Sequence, residues 1–196
     1  MEKINFIKTF IPQGDFREKY EHGGMMVRHL AAVLDEKMGA YECYECTVPI
    51  GEYDEGEIQK AFVEFSAKMD ALKLKQAKAD KIAEITAYDT SSSVNGFMLN
   101  GLLVWLDKAT RVGLMNSTTI AKAAGQKTTT LWLGGIKLVV DCDKAIQLLS
   151  ALEMYALECF NVTASHKQAV SELTTIEEVE AYNYKSGYPK MLEMSV

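Results

Sequence analysis

Between about Asp141 and Leu173 the chain carries the spacing that most restricts its fold. Ala145, Leu148, Leu149, Leu152, Ala156, Cys159 and Phe160 recur three and four residues apart, which puts them on one face of an α-helix. A helix with one apolar face has to bury it against something. The stretch just before it supplies a cover. In Thr128–Val140, Gly134-Gly135 joins two apolar runs, which predicts a two-residue β-hairpin. That register pairs Leu133 with Ile136 and Leu131 with Leu138. With Val140 these residues share one face, expected to sit on the helix. Trp132 pairs with Lys137 on the other face, where the ring can receive the ammonium. Asp141 is a suitable cap for the helix.

The neighbouring segments extend this unit. Asn100-Gly101 is a tight turn between Phe97-Met98-Leu99 and Leu102-Leu103-Val104-Trp105, and predicts a second hairpin. Asp107 can cap a helix from about Lys108 to Ala124, stopped by Gly125. Thr174-Thr175-Ile176-Glu177-Glu178 holds two overlapping capping boxes, so a short helix is expected to start there. Tyr182, Tyr184, Tyr188 and Pro189 close the chain as an aromatic cluster around a Ser186-Gly187 turn.

Towards the N-terminus, residues 1–24 offer only a short extended piece around Phe6, Phe10 and Ile11, with a turn at Gln13-Gly14. Met25–Leu34 and Ala40–Val48 read as a β-hairpin turning at Asp35–Gly39. From about Asp54 to Tyr88 the composition shifts to Lys, Glu, Ala and Leu. Ile58, Phe62, Phe65, Met69, Leu72, Gln76, Ala79 and Ala83 are spaced alternately four and three, a heptad seam. Such a seam either packs within its own chain or self-associates as a coiled coil, and both readings stay open. Glu64 lies four residues before Lys68, the favourable order for a helix ion pair. Asp89-Thr90-Ser91-Ser92-Ser93 reads as a linker. The expected architecture is α+β: a β-rich arm over 1–53, a long helix over 54–89, and a domain of hairpins packed on a long helix over 90–196.

Chemistry is hard to place on this chain. The formal charge of −6 argues against a general nucleic-acid binder. It is unevenly spread: net −5 over 1–89, +3 over 90–141 and −4 over 142–196. No stretch reaches the roughly 18 apolar residues of a membrane span. Met1-Glu2-Lys3-Ile4-Asn5 has no apolar run behind it, so no secretory leader is expected. Cys43, Cys46, Cys142 and Cys159 are then expected to be free thiols in a reducing cytoplasm. Cys43 and Cys46 form a CxxC, but inside a strand-like run, where residues three apart point to opposite faces. His22, His29 and His166 lack partners at metal-ligand spacing, and His166 is expected to be a polar-face or packing histidine. Trp105 and Trp132 are expected in core or hairpin packing. Neither a phosphate-binding loop nor a nucleophile elbow is present. No catalytic residue, cofactor or metal is therefore expected.

The C-terminal half carries a resemblance. Trp132 on a hairpin, a long helix with Ala156, His166 and Ala169-Val170, then Leu173-Thr174-Thr175-Ile176-Glu177-Glu178-Val179 and Gly187-Tyr188-Pro189 resemble a domain of unknown function found in bacteriophage and prophage proteins. Members often end in Gly-Trp-Pro, where this chain has Tyr188. The resemblance covers about residues 90–192 and implies a gene near tail and tail-fibre genes. It implies no catalytic residues. The expectation that follows is a non-enzymatic tail-associated structural protein, assembling with itself as a homo-oligomer or with tail proteins, and binding neither nucleic acid nor membrane. The alternative is a tail-fibre assembly chaperone absent from the mature particle. The expected location is the host-cell cytoplasm, extending to the virion tail. The expected interaction surface is Ile58, Phe62, Phe65, Met69 and Leu72.

Overall fold

The computed structural model describes residues 4–196; Met1–Lys3, on which the expectation of no secretory leader partly rests, lie outside the described residues. The chain forms two compact units, one up to Lys73 and one from Leu74 to Val196. The first holds β1 (Ile7–Pro12), β2 (Lys19–His22), β3 (Met25–Asp35) and β4 (Ala40–Pro49). They form an antiparallel sheet in the order β1-β4-β3-β2. The expected hairpin is its centre, closing with Asp35 opposite Ala40. The register shifts between Leu30 and Val33, where Ala31 takes φ 51°. The extra residue is a β-bulge, which twists the strand and changes which side chains face the core beyond it.

α1 (Glu55–Asp89) follows, roughly 50 Å long at 1.5 Å per residue. Asp54 starts it through a reciprocal cap: Glu57 N–H donates to Asp54 Oδ1 at 2.8 Å, and Asp54 N–H donates to Glu57 Oε2 at 2.9 Å. Its opening turns serve the sheet. Phe6, Leu30, Cys46, Val48, Ile58 and Phe62 form one buried cluster with Tyr44 and Phe65 against it. Phe6 meets Phe62 edge-on at 5.3 Å, and Phe65 meets Tyr44 edge-on at 5.2 Å, the geometry that aromatic quadrupoles favour. The ion pairs within α1 are Asp70–Lys73 and Lys81–Glu84, and the expected Glu64–Lys68 pair does not form among the described residues.

The second unit takes up α1 from Leu74. Ile85, Val170 and Val179 are fully buried together, with Leu74, Ala77 and Ile82 beside them. Gln76, Ala79 and Ala83 are exposed, so the heptad seam does not continue into this part. The stretch read as a linker is ordered: Ser91 caps α2 (Ser92–Asn95), with its side chain accepting from Ser93 N–H. β5 (Gly96–Leu99) and β6 (Leu102–Trp105) pair through the Asn100-Gly101 turn, with φ of 50° and 82°. α3 (Lys108–Ala123) is capped by Asp107. β7 (Thr128–Leu133) and β8 (Ile136–Asp141) pair in the expected register, and Lys137 Nζ lies 6.0 Å from the Trp132 ring centre. Gly134 has φ 57°, and a Cβ there would stand 3.0 Å from Val104. Both facts favour glycine.

α4 (Cys142–Glu172) is the central element, capped by Asp141. Ala145, Leu149, Leu152, Tyr155 and Cys159 bury against Val94, Phe97, Leu99, Leu131, Leu133 and Val140. Leu148 is half-buried. Phe160, expected on this buried face, is instead 59% exposed. α5 (Ile176–Ala181) begins with the expected capping box between Thr175 and Glu178. β9 (Leu192–Met194) then returns to pair parallel with β5, giving the order β6-β5-β9.

Burial pushes the Tyr155 phenol up to about 12, and the nearby Cys159 adds to the shift. Its hydroxyl donates to Val94 O at 2.6 Å. A phenol raised in the folded state contributes stability that is fully present below its unfolded value, about 10. That stability is lost as pH rises through about 12. Tyr155→Phe is therefore expected to flatten the fall in stability across that window. Urea titrations at stepped alkaline pH check this, and an unchanged slope would refute it.

Candidate functional site

The residues expected to form an interaction surface divide along the helix. Ile58 is 2% and Phe62 8% exposed, and both are committed to the sheet of their own unit. Phe65 and Met69 are half-buried. Leu72 is 58% exposed. For the opening turns of α1, packing within the chain is the arrangement found.

The histidines and cysteines have structural surroundings. His29 is buried, with Nε2 3.1 Å from Glu45 Oε2 and Nδ1 hydrogen-bonded to Arg17 O. Both ring nitrogens face acceptors. His166 Nδ1 lies 2.9 Å from Tyr182 Oη and Nε2 lies 2.9 Å from Ser186 O, so it ties α4 to the C-terminal turn. All four cysteines are free and buried. Burial raises the thiols of Cys43, Cys46 and Cys159, the opposite of what a reactive thiolate needs. Among the described residues, no group of three or more His, Cys, Asp and Glu is placed to hold a metal. Likewise no helix is long and apolar enough to cross a membrane.

One concave site stands out in the second unit. It is a groove of about 690 Å³, within the roughly 300–1,000 Å³ usual for ligand pockets. The end of α1 and α2 form one side, the β6–α3 corner another, and the middle of α4 the floor. Trp105, Leu157 and Phe160 line it, together with Asp89, Asp107 and Arg111. Trp105 lies on the β5–β6 hairpin, opposite Gly96, one of the two expected placements, and it is 40% exposed. Arg111 is 8% exposed. Its Nε donates to Glu153 Oε1 at 2.8 Å and its Nη1 to Leu106 O at 2.8 Å. Those bonds make a buried charge tolerable. Asp107 accepts from the Thr110 hydroxyl at 2.6 Å and from Thr110 N–H at 2.8 Å. The hydroxyl first, then the backbone, hold its carboxyl below the usual range. Asp89 Oδ1 accepts from the Thr163 hydroxyl at 2.8 Å.

A family model, described as a domain of unknown function (DUF4376), matches residues 76–184. The chain belongs to this family. No curated protein and no solved structure matches it. The DUF4376 match begins two residues inside the second unit and takes in every residue of the groove. The seam residues Ile58–Leu72 precede it. The groove was not legible in the sequence, because its walls come from five elements and Asp89 stands far from Phe160 along the chain. The signal that could have hinted at it was Phe160 itself, a large aromatic at the edge of α4's apolar stripe.

Proposed function

We propose that this DUF4376 protein is a non-enzymatic, bacteriophage or prophage tail-associated structural protein acting through protein–protein assembly. The observation that carries assembly is the exposed wall of Trp105, Leu157 and Phe160, gathered in one groove of the second unit. Apolar side chains gathered at one concave place mark interaction sites, whereas isolated ones do not. The charged groups beside them are engaged in structural bonds. Arg111 holds Glu153, Asp107 caps α3, and Asp89 receives the Thr163 hydroxyl. That arrangement suits a binding surface better than acid–base chemistry, which needs a group free to exchange a proton. The phage-tail setting draws its support from the resemblance of the C-terminal motifs, from Leu173–Val179 to Gly187-Tyr188-Pro189. Its partners on this reading are tail proteins or further copies of the chain, in the host cytoplasm and the virion.

A second reading, a tail-fibre assembly chaperone that leaves before the particle matures, is favoured by the same groove being open to solvent. Mass spectrometry of purified particles from the parent system decides between them. Stoichiometric peptides of this chain are expected. Abundant protein in infected cells with none in particles would overturn the structural role in favour of the chaperone. Infected cells without the protein would overturn both.

A further inference from the structure

We propose that the groove docks a short apolar peptide segment that carries a basic side chain, presented by a partner protein. This rests on the assembly reading above and names what its site would hold.

The first requirement comes from Arg111. A guanidinium has five N–H donors. Two have partners, Glu153 and Leu106 O, and the other three have none among the described residues. Arg111 Nη2 is not among the buried atoms left without a partner, so it reaches solvent, and an acceptor that enters the groove can receive its N–H groups. The second requirement is electrostatic. Glu153 offsets the charge of Arg111, leaving Lys108 against Asp89 and Asp107. Asp107 is held ionised by Thr110. Asp89 is the last residue of the 35-residue α1, whose last turn contains no basic residue. A helix C-terminus already bears partial negative charge from its carbonyls. α3 starts at Lys108 in the same groove, and its N-terminal partial positive charge offsets the end of α1. The five charged side chains leave a formal balance of −1, which favours an occupant that brings a cation over one that brings an anion alone.

An uncharged acceptor that brings its own cation satisfies both requirements. A peptide backbone supplies the carbonyls, and a Lys or Arg side chain supplies the cation for Asp89 and Asp107. Trp105 and Phe160 can receive the alkyl stem or the cation over their rings. Leu157 is left to contact an apolar neighbour of that residue.

The test uses the full chain and two fluorescein-labelled peptides, acetylated and amidated so that their ends are neutral. One alternates Leu with Arg, the other Leu with Glu, and anisotropy reports binding. The Arg peptide is expected to bind and the Glu peptide not. Asp89→Asn keeps the oxygen that accepts from Thr163, and Phe160→Ser changes an exposed position, so both variants should fold. Each is expected to weaken the Arg peptide about tenfold, a loss of roughly 1.4 kcal/mol. Failure of the Arg peptide to bind, equal binding of both, or binding indifferent to both substitutions would overturn the proposal. So would a wild-type dimer that becomes monomeric with Phe160→Ser, because the occupant would then be a second copy. The particle measurement stands apart, since a protein present in virions could still fail every peptide test.

Discussion

Phe97→Ala is expected to cost the second unit about 3–5 kcal/mol, the usual range for removing a phenyl ring from a packed core. Phe97 is fully buried. It sits on the central strand β5, paired with Val104 on one side and Leu192 on the other. The surrounding side chains come from both hairpins and from α4. Closing the space would mean moving β6 and β9 together, so little relaxation is expected and the cost should fall high in the range. Whole domains are stable by only about 5–15 kcal/mol, so the loss is a large share. Phe160→Ala removes the same ring from α4, yet a surface change of that kind should stay within about 0.5 kcal/mol. Urea denaturation of both variants checks the contrast. Equal midpoints would mean that Phe160 is packed and that the groove does not exist as described.

That pair of phenylalanines also shows what the sequence could reveal. Spacing placed Ala145, Leu149, Leu152, Ala156 and Cys159 on α4's buried face because the helix period acts locally. The hairpin registers were legible for the same reason, since Gly134-Gly135 and Asn100-Gly101 fix them by turn geometry. Phe160 lies at the margin of the stripe. Whether a marginal position is covered depends on distant elements, here the end of α1 and the β6–α3 corner. β2 was missed because Lys19-Tyr20-Glu21-His22 has no apolar alternation. β9 is three residues long and pairs with β5 from the other end of the unit. The continued heptad seam was a reading by residue type. Ala79 and Ala83 are apolar enough to extend it, but the larger Ile85 is the one buried, with Leu74 and Ile82 partly buried beside it. Weighting by side-chain size would have found the change of face, because buried area scales with size.

Phe62→Asp combined with Phe65→Asp is expected to unfold the first unit. If the seam were only a self-association surface, the same pair would leave a folded monomer. Phe62 is 8% exposed and meets the rings of Phe6 and Tyr44. Phe65 meets the same two rings. A carboxylate at position 62 would be buried with no cation among the residues of that cluster. The lost ring contributes a further cost of about 3–5 kcal/mol, and a buried unpaired charge adds several more. Hydrogen exchange checks this by region: protection of the β3 and β4 amides should collapse in the double variant. Leu72→Asp separates the two ideas, since Leu72 belongs to the same seam but is 58% exposed. Its stability should not change. If light scattering showed a wild-type oligomer that Leu72→Asp dissociates without loss of protection, the seam would be an interface beyond Phe65, and the helix would serve its own sheet in its opening turns and a partner near its middle. Unchanged mass would leave the groove of the second unit as the proposed docking surface.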